Sequence, residues 1–116
     1  MLESAHVEAV NVLDGPVTYA TQWRIVEHLN RARVPAIYPW PEIAEQGGLL
    51  GYGSRLEVQF RQIARLVSKI LRGTRPQDLP IGESDRYDLV VNLRTARTIG
   101  LTVPPSVLAR ADQLIE

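Results

Sequence analysis

An unbroken apolar stripe between residues 56 and 71 constrains this chain more than any other feature. Leu56, Phe60, Ile63, Ala64, Val67, Ile70 and Leu71 recur at steps of three and four, the spacing that gathers side chains on one face of an α-helix. The flanks mark where such a helix starts and stops. Ser54 and Glu57 have the Ser-x-x-Glu spacing of a capping box, Gly73 can supply a left-handed C-terminal turn, and Pro76 cannot continue a helix. So long an apolar face needs a surface to pack against.

The segments around it read as strands alternating with helices. Residues 7–13 (VEAVNVL) are rich in Val and Leu and run into the turn signal Asp14-Gly15-Pro16, which predicts a buried strand. Tyr19, Trp23, Val26, Leu29 and Ala32 share a helical face, and that helix should end before Pro35. Strands are predicted at 34–38, 49–53 and 87–93, with one or two helical turns at 41–46 stopped by Gly47-Gly48. A short helix at 95–99 should be capped by Gly100. An extended linker follows at 102–105, and Val107, Leu108, Ala111, Leu114 and Ile115 predict a last amphipathic helix. Strand-helix alternation of this kind predicts an α/β fold, a mainly parallel sheet with flanking helices.

A chain of 116 residues has material for one modest core, so residues 1–116 are expected to form one domain. Thirteen basic and 13 acidic residues cancel, leaving no field to attract a polyanion, and no Lys/Arg block alternates with aromatics. A nucleic-acid partner is not expected. The absence of cysteine excludes disulfides, and no apolar run approaches the ~20 residues of a membrane span. Met1 to His6 lack the basic and apolar regions of a signal peptide, so the chain as written would stay in the cytoplasm.

Catalytic chemistry finds few candidates. His6 and His28 stand alone, without the spacing of metal ligands, and Ser54 and Ser106 lie at helix starts without a nucleophile elbow. The run Gly47-Gly48-Leu49-Leu50-Gly51-Tyr52-Gly53 fails as a dinucleotide fingerprint, because its third glycine would fall at Leu56. No enzyme activity, metal or cofactor is expected. Binding is the better reading, since open α/β sheets collect ligands outside the carboxyl ends of their strands. Three such ends carry the candidate contacts Asp14, Trp40, Tyr52 and Gly53. For each a plainer role stands beside binding: Asp14 as a turn residue, Trp40 and Tyr52 as covers for the core edge, Gly51 and Gly53 as bends or points of close approach.

Four stretches carry a family resemblance. Residues 47–53 (GGLLGYG), 69–81 (KILRGTRPQDLPI), 89–96 (LVVNLRTA) and 100–112 (GLTVPPSVLARAD) occur in the order of the closing motifs of the bacterial ABC-transporter substrate-binding family associated with tryptophan and tyrosine transport. The chain resembles the C-terminal portion of such a protein from about Val7 onward. The resemblance implies part of a periplasmic-binding-protein-like type I fold, in which two α/β lobes close on a small solute by hinge motion. It implies a small-molecule solute such as an amino acid, with aromatic ones among the candidates, an ABC permease as partner, and a periplasmic or membrane-associated location. It assigns about 1–46 to the second lobe and about 47–116 to a crossover strand and C-terminal helices. Family members are longer, with an export or lipoprotein signal and a complete first lobe, and Ile81-Gly82-Glu83-Ser84-Asp85 stands where they show a Val-Glu-Gln-Pro-like stretch. Without that lobe the helix at 56–71 would keep an exposed stripe, which a homodimer could cover. The alternative function is therefore a self-associating structural domain with no ligand.

Overall fold

Residues 7–82, 84 and 86–116 are described by a computed structural model. Its centre is a five-stranded sheet whose strands lie side by side in chain order: β1 (Val10–Asn11), β2 (Ala36–Tyr38), β3 (Leu50–Gly53), β4 (Asp88–Asn92) and β5 (Gln113–Ile115). β1, β2 and β3 run parallel, β4 turns antiparallel to β3, and β5 runs parallel to β4. The sheet is thus mostly parallel, as the alternating pattern requires. Helices α1 (Pro16–Arg31), α2 (Pro41–Glu45), α3 (Leu56–Leu71), α4 (Leu93–Ile99) and α5 (Pro105–Leu108) connect the strands.

Two apolar clusters hold this body together. Val26 and Leu29 of α1 pack with Ala36 and Tyr38 of β2, Trp40 and Ile43. Leu49, Val91, Ala96, Ile99 and Val103 form the second cluster around β4 and α4. β4 is the most deeply set strand, with Val90 and Val91 both fully buried, which explains its near-continuous apolar run. Its last residue, Asn92, serves both clusters. The Asn92 side chain accepts the Thr95 N–H at 2.9 Å to cap α4, and donates to the Ala44 carbonyl at 2.8 Å to hold α2. The Gly47 carbonyl accepts from both Asn30 and Thr95 at 2.9 Å, fastening α1 and α4 to the loop before β3.

The Tyr38 hydroxyl lies inside this core with no hydrogen-bond partner among the described residues. Burial pushes its pKa up to about 12. The neutral phenol is therefore favoured in the fold, so its stability contribution is full below the unfolded value of about 10 and is lost as pH rises through the folded one. Tyr38→Phe should leave stability at pH 7 unchanged or raise it by up to about 1 kcal/mol, because it removes an unpaired buried polar group. Melts at pH 10 to 12 should show the wild type losing stability that the variant keeps. An equal alkaline loss in both would mean that the hydroxyl is not desolvated.

Several local expectations change in the tertiary setting. β1 covers only two of the residues in the 7–13 run. Tyr19 and Trp23 lie on the predicted apolar face of α1 yet are about half exposed, while Val26 and Leu29 further along that face are buried. The Ser54 capping box does not form. Arg55 occupies the cap position of α3, the Leu56 N–H donates to the Glu42 carboxylate at 3.0 Å, and Ser54 instead accepts the Ser84 hydroxyl at 2.6 Å. Gly73 ends α3 as expected, at φ +103°, with its N–H on the Ile70 carbonyl and the Thr74 N–H on that of Lys69.

The predicted C-terminal helix is the largest correction. α5 stops at Leu108, and Gln113–Ile115 instead form the edge strand β5. Asp112 sets the register by donating its N–H to the Leu89 carbonyl and accepting the Leu89 N–H on its carboxylate, both at 2.8 Å. The exposed edge of β4 offers a full ladder of backbone partners, and this outweighs a short helical periodicity.

α3 stands apart from the body. It has no buried residue, Phe60 and Leu71 are 61% and 82% exposed, and the longest dimension is 54 Å. The radius of gyration, 17.2 Å, exceeds the ~13 Å of a compact chain this long. The apolar stripe is therefore helical as predicted; Leu56 at its start packs against the first cluster, and beyond it the stripe is largely exposed among the described residues.

Candidate ligand-binding site

A cleft of about 530 Å³ opens between the carboxyl ends of β1 to β3 and the root of α3. Asp14 reaches it from the β1–α1 turn, Trp40 from the end of β2, and Tyr52 and Gly53 from the end of β3. The four residues singled out from the sequence thus line one cavity. The far wall comes from α3, through Gln59, Gln62, Ile63 and Leu66, and the floor from Ser54, Ser84 and Tyr87. These escaped sequence reasoning because their positions depend on how α3 leaves the sheet. Gln59, Gln62, Ile63 and Leu66 do share one helical face, which was the available signal.

The four candidates differ in character. Tyr52 is 53% exposed, its ring 6.0 Å from that of Tyr87, so it offers a free aromatic face. Trp40 is only 6% exposed and meets the edge of Tyr19 at 5.3 Å, so most of it belongs to the core and little is left to stack on a ligand. Gly53 has a structural reason of its own. A Cβ there would collide with the Pro39 carbonyl, and one on Gly51 would lie 2.7 Å from both Pro41 Cα and the Trp40 carbonyl. Neither glycine has a positive φ. They let residues 39–41 approach β3 and do not bend the chain.

The cleft is weakly polar, with amide and hydroxyl groups, and among the described residues Asp14 is the lining group that carries charge. Among the described residues no three metal-ligating side chains gather. Behind the cleft lies the main ionic cluster. Arg55 donates to Glu45 at 2.6 Å, Asp88 at 2.9 Å and Gln113 at 3.0 Å, while Arg86 reaches the other Asp88 oxygen at 2.7 Å. The Arg55 hydrogen bond, aided by Arg86, holds the buried Asp88 carboxyl below the usual carboxylate range, although burial opposes it; Glu45 and Asp88 raise the Arg55 pKa further.

A depressed carboxyl pKa contributes stability above the unfolded value, near 3.9, that disappears as pH falls through the folded value. Asp88→Asn should therefore lower stability at pH 7 by roughly 2 kcal/mol, with Arg55 partly exposed to solvent, and flatten the acid limb of the melt below about pH 4. An unchanged acid limb would show that other carboxylates set it.

A mostly parallel α/β sheet with a weakly polar cleft at its strand ends is the arrangement in which open α/β folds collect ligands. The family described as ABC transporter substrate binding protein matches residues 4–115, and the chain belongs to it. Two solved structures share the fold closely. A conserved domain protein from Vibrio cholerae O1 biovar El Tor has 26% identity over 92% of this chain, at a TM-score of 0.83. The ABC domain from Streptococcus pneumonia in complex with L-Trp has 23% identity over 98% of this chain, also at 0.83. A substrate binding protein with adhesive properties from Clostridium difficile, in its ligand-free open form, aligns at 0.56 with 20% identity over 97% of this chain and 38% of its own. The chain spans 36% and 40% of the first two structures. No curated protein matches it. Proteins of this family bind solutes for transport. No described helix is long and apolar enough to cross a membrane.

Proposed function

We propose that this chain supplies one wall of a solute-binding cleft in an ABC transport system and holds a small molecule such as an amino acid by reversible contact. The observation that carries the reading is the meeting of Asp14, Trp40, Tyr52 and Gly53 on one cleft at the strand ends. In this reading the Asp14 carboxylate takes an ammonium group, Tyr52 stacks on an aromatic or apolar body, and Trp40 and Gly53 complete the wall. The complex with L-Trp in the Streptococcus pneumonia relative favours an aromatic amino acid. Delivery to an ABC permease, outside the cytoplasm, belongs to the same proposal and rests on the family.

The test is thermal unfolding against a panel of amino acids and small organic acids, tryptophan and tyrosine included. A ligand at 100 times its dissociation constant adds about 2.7 kcal/mol to stability, a shift of several degrees. Tyr52→Ala should abolish the shift while changing the unliganded melt by about 1 kcal/mol or less, because Tyr52 is half exposed. A cooperative melt indifferent to every compound would sink the reading.

One observation favours a second function. Phe60, Ile63, Val67 and Leu71 expose a continuous apolar face on α3, the kind of surface that self-association covers. A self-associating structural domain would form a homodimer at micromolar concentration with no response to solutes. A monomeric mass would count against it.

A further inference from the structure

The cleft has two walls that are not packed on one another: Asp14, Trp40 and Tyr52 stand on the sheet, and Gln59, Gln62, Ile63 and Leu66 on α3. Since α3 buries none of its residues, contacts at its root set its pose: Leu56 rests against the first apolar cluster and donates its N–H to Glu42, and the remaining ties run through its neighbour. Arg55 is the residue at that root, and its guanidinium uses all three nitrogens. Nε donates to Asp88 on β4, Nη1 to Glu45 at the end of α2, and Nη2 to Gln113 on β5. The chain returning from α3 is tied to the same point, because Arg86 donates to the second Asp88 oxygen. The two connecting segments are also joined directly through Ser84 and Ser54.

The structure assigns Arg55 a positioning role: it clamps the root of α3 to β4, β5 and the end of α2 and so sets the width of the cleft without lining it. A planar, always-charged fork suits this task, since a lysine ammonium on its flexible stem cannot hold three acceptors in one plane. Partial exposure of Arg55 leaves the clamp able to open, as a surface ion pair exchanges with water at modest cost. The effect on a solute rests on the solute-binding reading above, whereas the effect on α3 does not.

The absence of cysteine allows spin labels to be placed cleanly, at the exposed positions Lys69→Cys on α3 and Arg97→Cys on α4. Distance distributions between them would be compared for wild type, Arg55→Met, Arg55→Lys, and the control Arg65→Met on α3. Arg55→Met should broaden the distribution roughly twofold, since few contacts then restrain the helix. Arg55→Lys should fall between, and the control should overlay the wild type. Should Arg55→Met fail to fold by circular dichroism, the double variant Glu45→Gln, Gln113→Ala weakens two of the three contacts at solvent-facing positions and should broaden the distribution as well. An unchanged distribution in whichever of these folds overturns the clamp. Where a panel amino acid shifts the melt, Arg55→Met should weaken its binding about tenfold by populating poses unsuited to it. Broadening with no solute bound by the wild type would sustain the clamp and sink the solute reading. Solute binding with no broadening would do the reverse.

Discussion

Gly53→Ala should destabilise the chain by about 3 kcal/mol or more, and it is the substitution expected to do the most damage for a single added methyl group. The new Cβ would overlap the Pro39 carbonyl, a backbone atom held by the run from β2 into α2. That carbonyl cannot swing aside as a side chain would. Gly53 also stands opposite Asp88 in the β3–β4 register, so displacing it disturbs the ion pairs with Arg55 and Arg86 as well as Tyr52 beside the cleft. Gly82 is the control, since a Cβ there meets nothing within 4 Å and Gly82→Ala should be neutral to within about 1 kcal/mol. Urea unfolding of both variants measures the difference. A loss below about 1 kcal/mol for Gly53→Ala would show that residues 39–41 yield, and the glycine would then need another explanation.

Trp40→Ala should lose about 3 to 5 kcal/mol, as other truncations of large buried aromatics do. Trp40 is buried among Val26, Leu29, Tyr38 and Ile43, meets Tyr19 edge-on, and precedes the proline that opens α2. Its removal would empty the centre of the first cluster and leave α1 poorly seated on β2. Trp40→Phe keeps an aromatic body and should lose about half as much. The two unfolding curves separate core packing from ligand contact. A small loss in stability together with a lost solute response would make Trp40 chiefly a binding residue, contrary to its burial.

Much of the fold was legible because its signals are local. The periodicity of residues 56–71 sufficed for α3, and Gly73 and Gly100 mark the ends of α3 and α4 because each end needs a left-handed residue. The parallel arrangement of β1 to β3 follows from strands separated by helices. The cleft was half legible. Strand-end reasoning found the sheet-side wall, and nothing local could find the α3 wall or Arg55, whose three partners lie 10, 33 and 58 residues away.

The sequence by itself determined where helices and strands can start and stop and the α/β class, since these rest on dihedral preferences and spacings within a few residues, while the family came from the resemblance carried by residues 47–53, 69–81, 89–96 and 100–112. Only the tertiary structure decided that residues 113–115 form a strand, that Ser54 bonds Ser84 instead of capping α3, and that Gly51 and Gly53 make room for residues 39–41. The reason is physical: an edge of unpaired backbone, a hydroxyl or a carbonyl brought alongside from a distant segment competes on equal energetic terms with any local partner, and chain proximity does not record which distant segments meet.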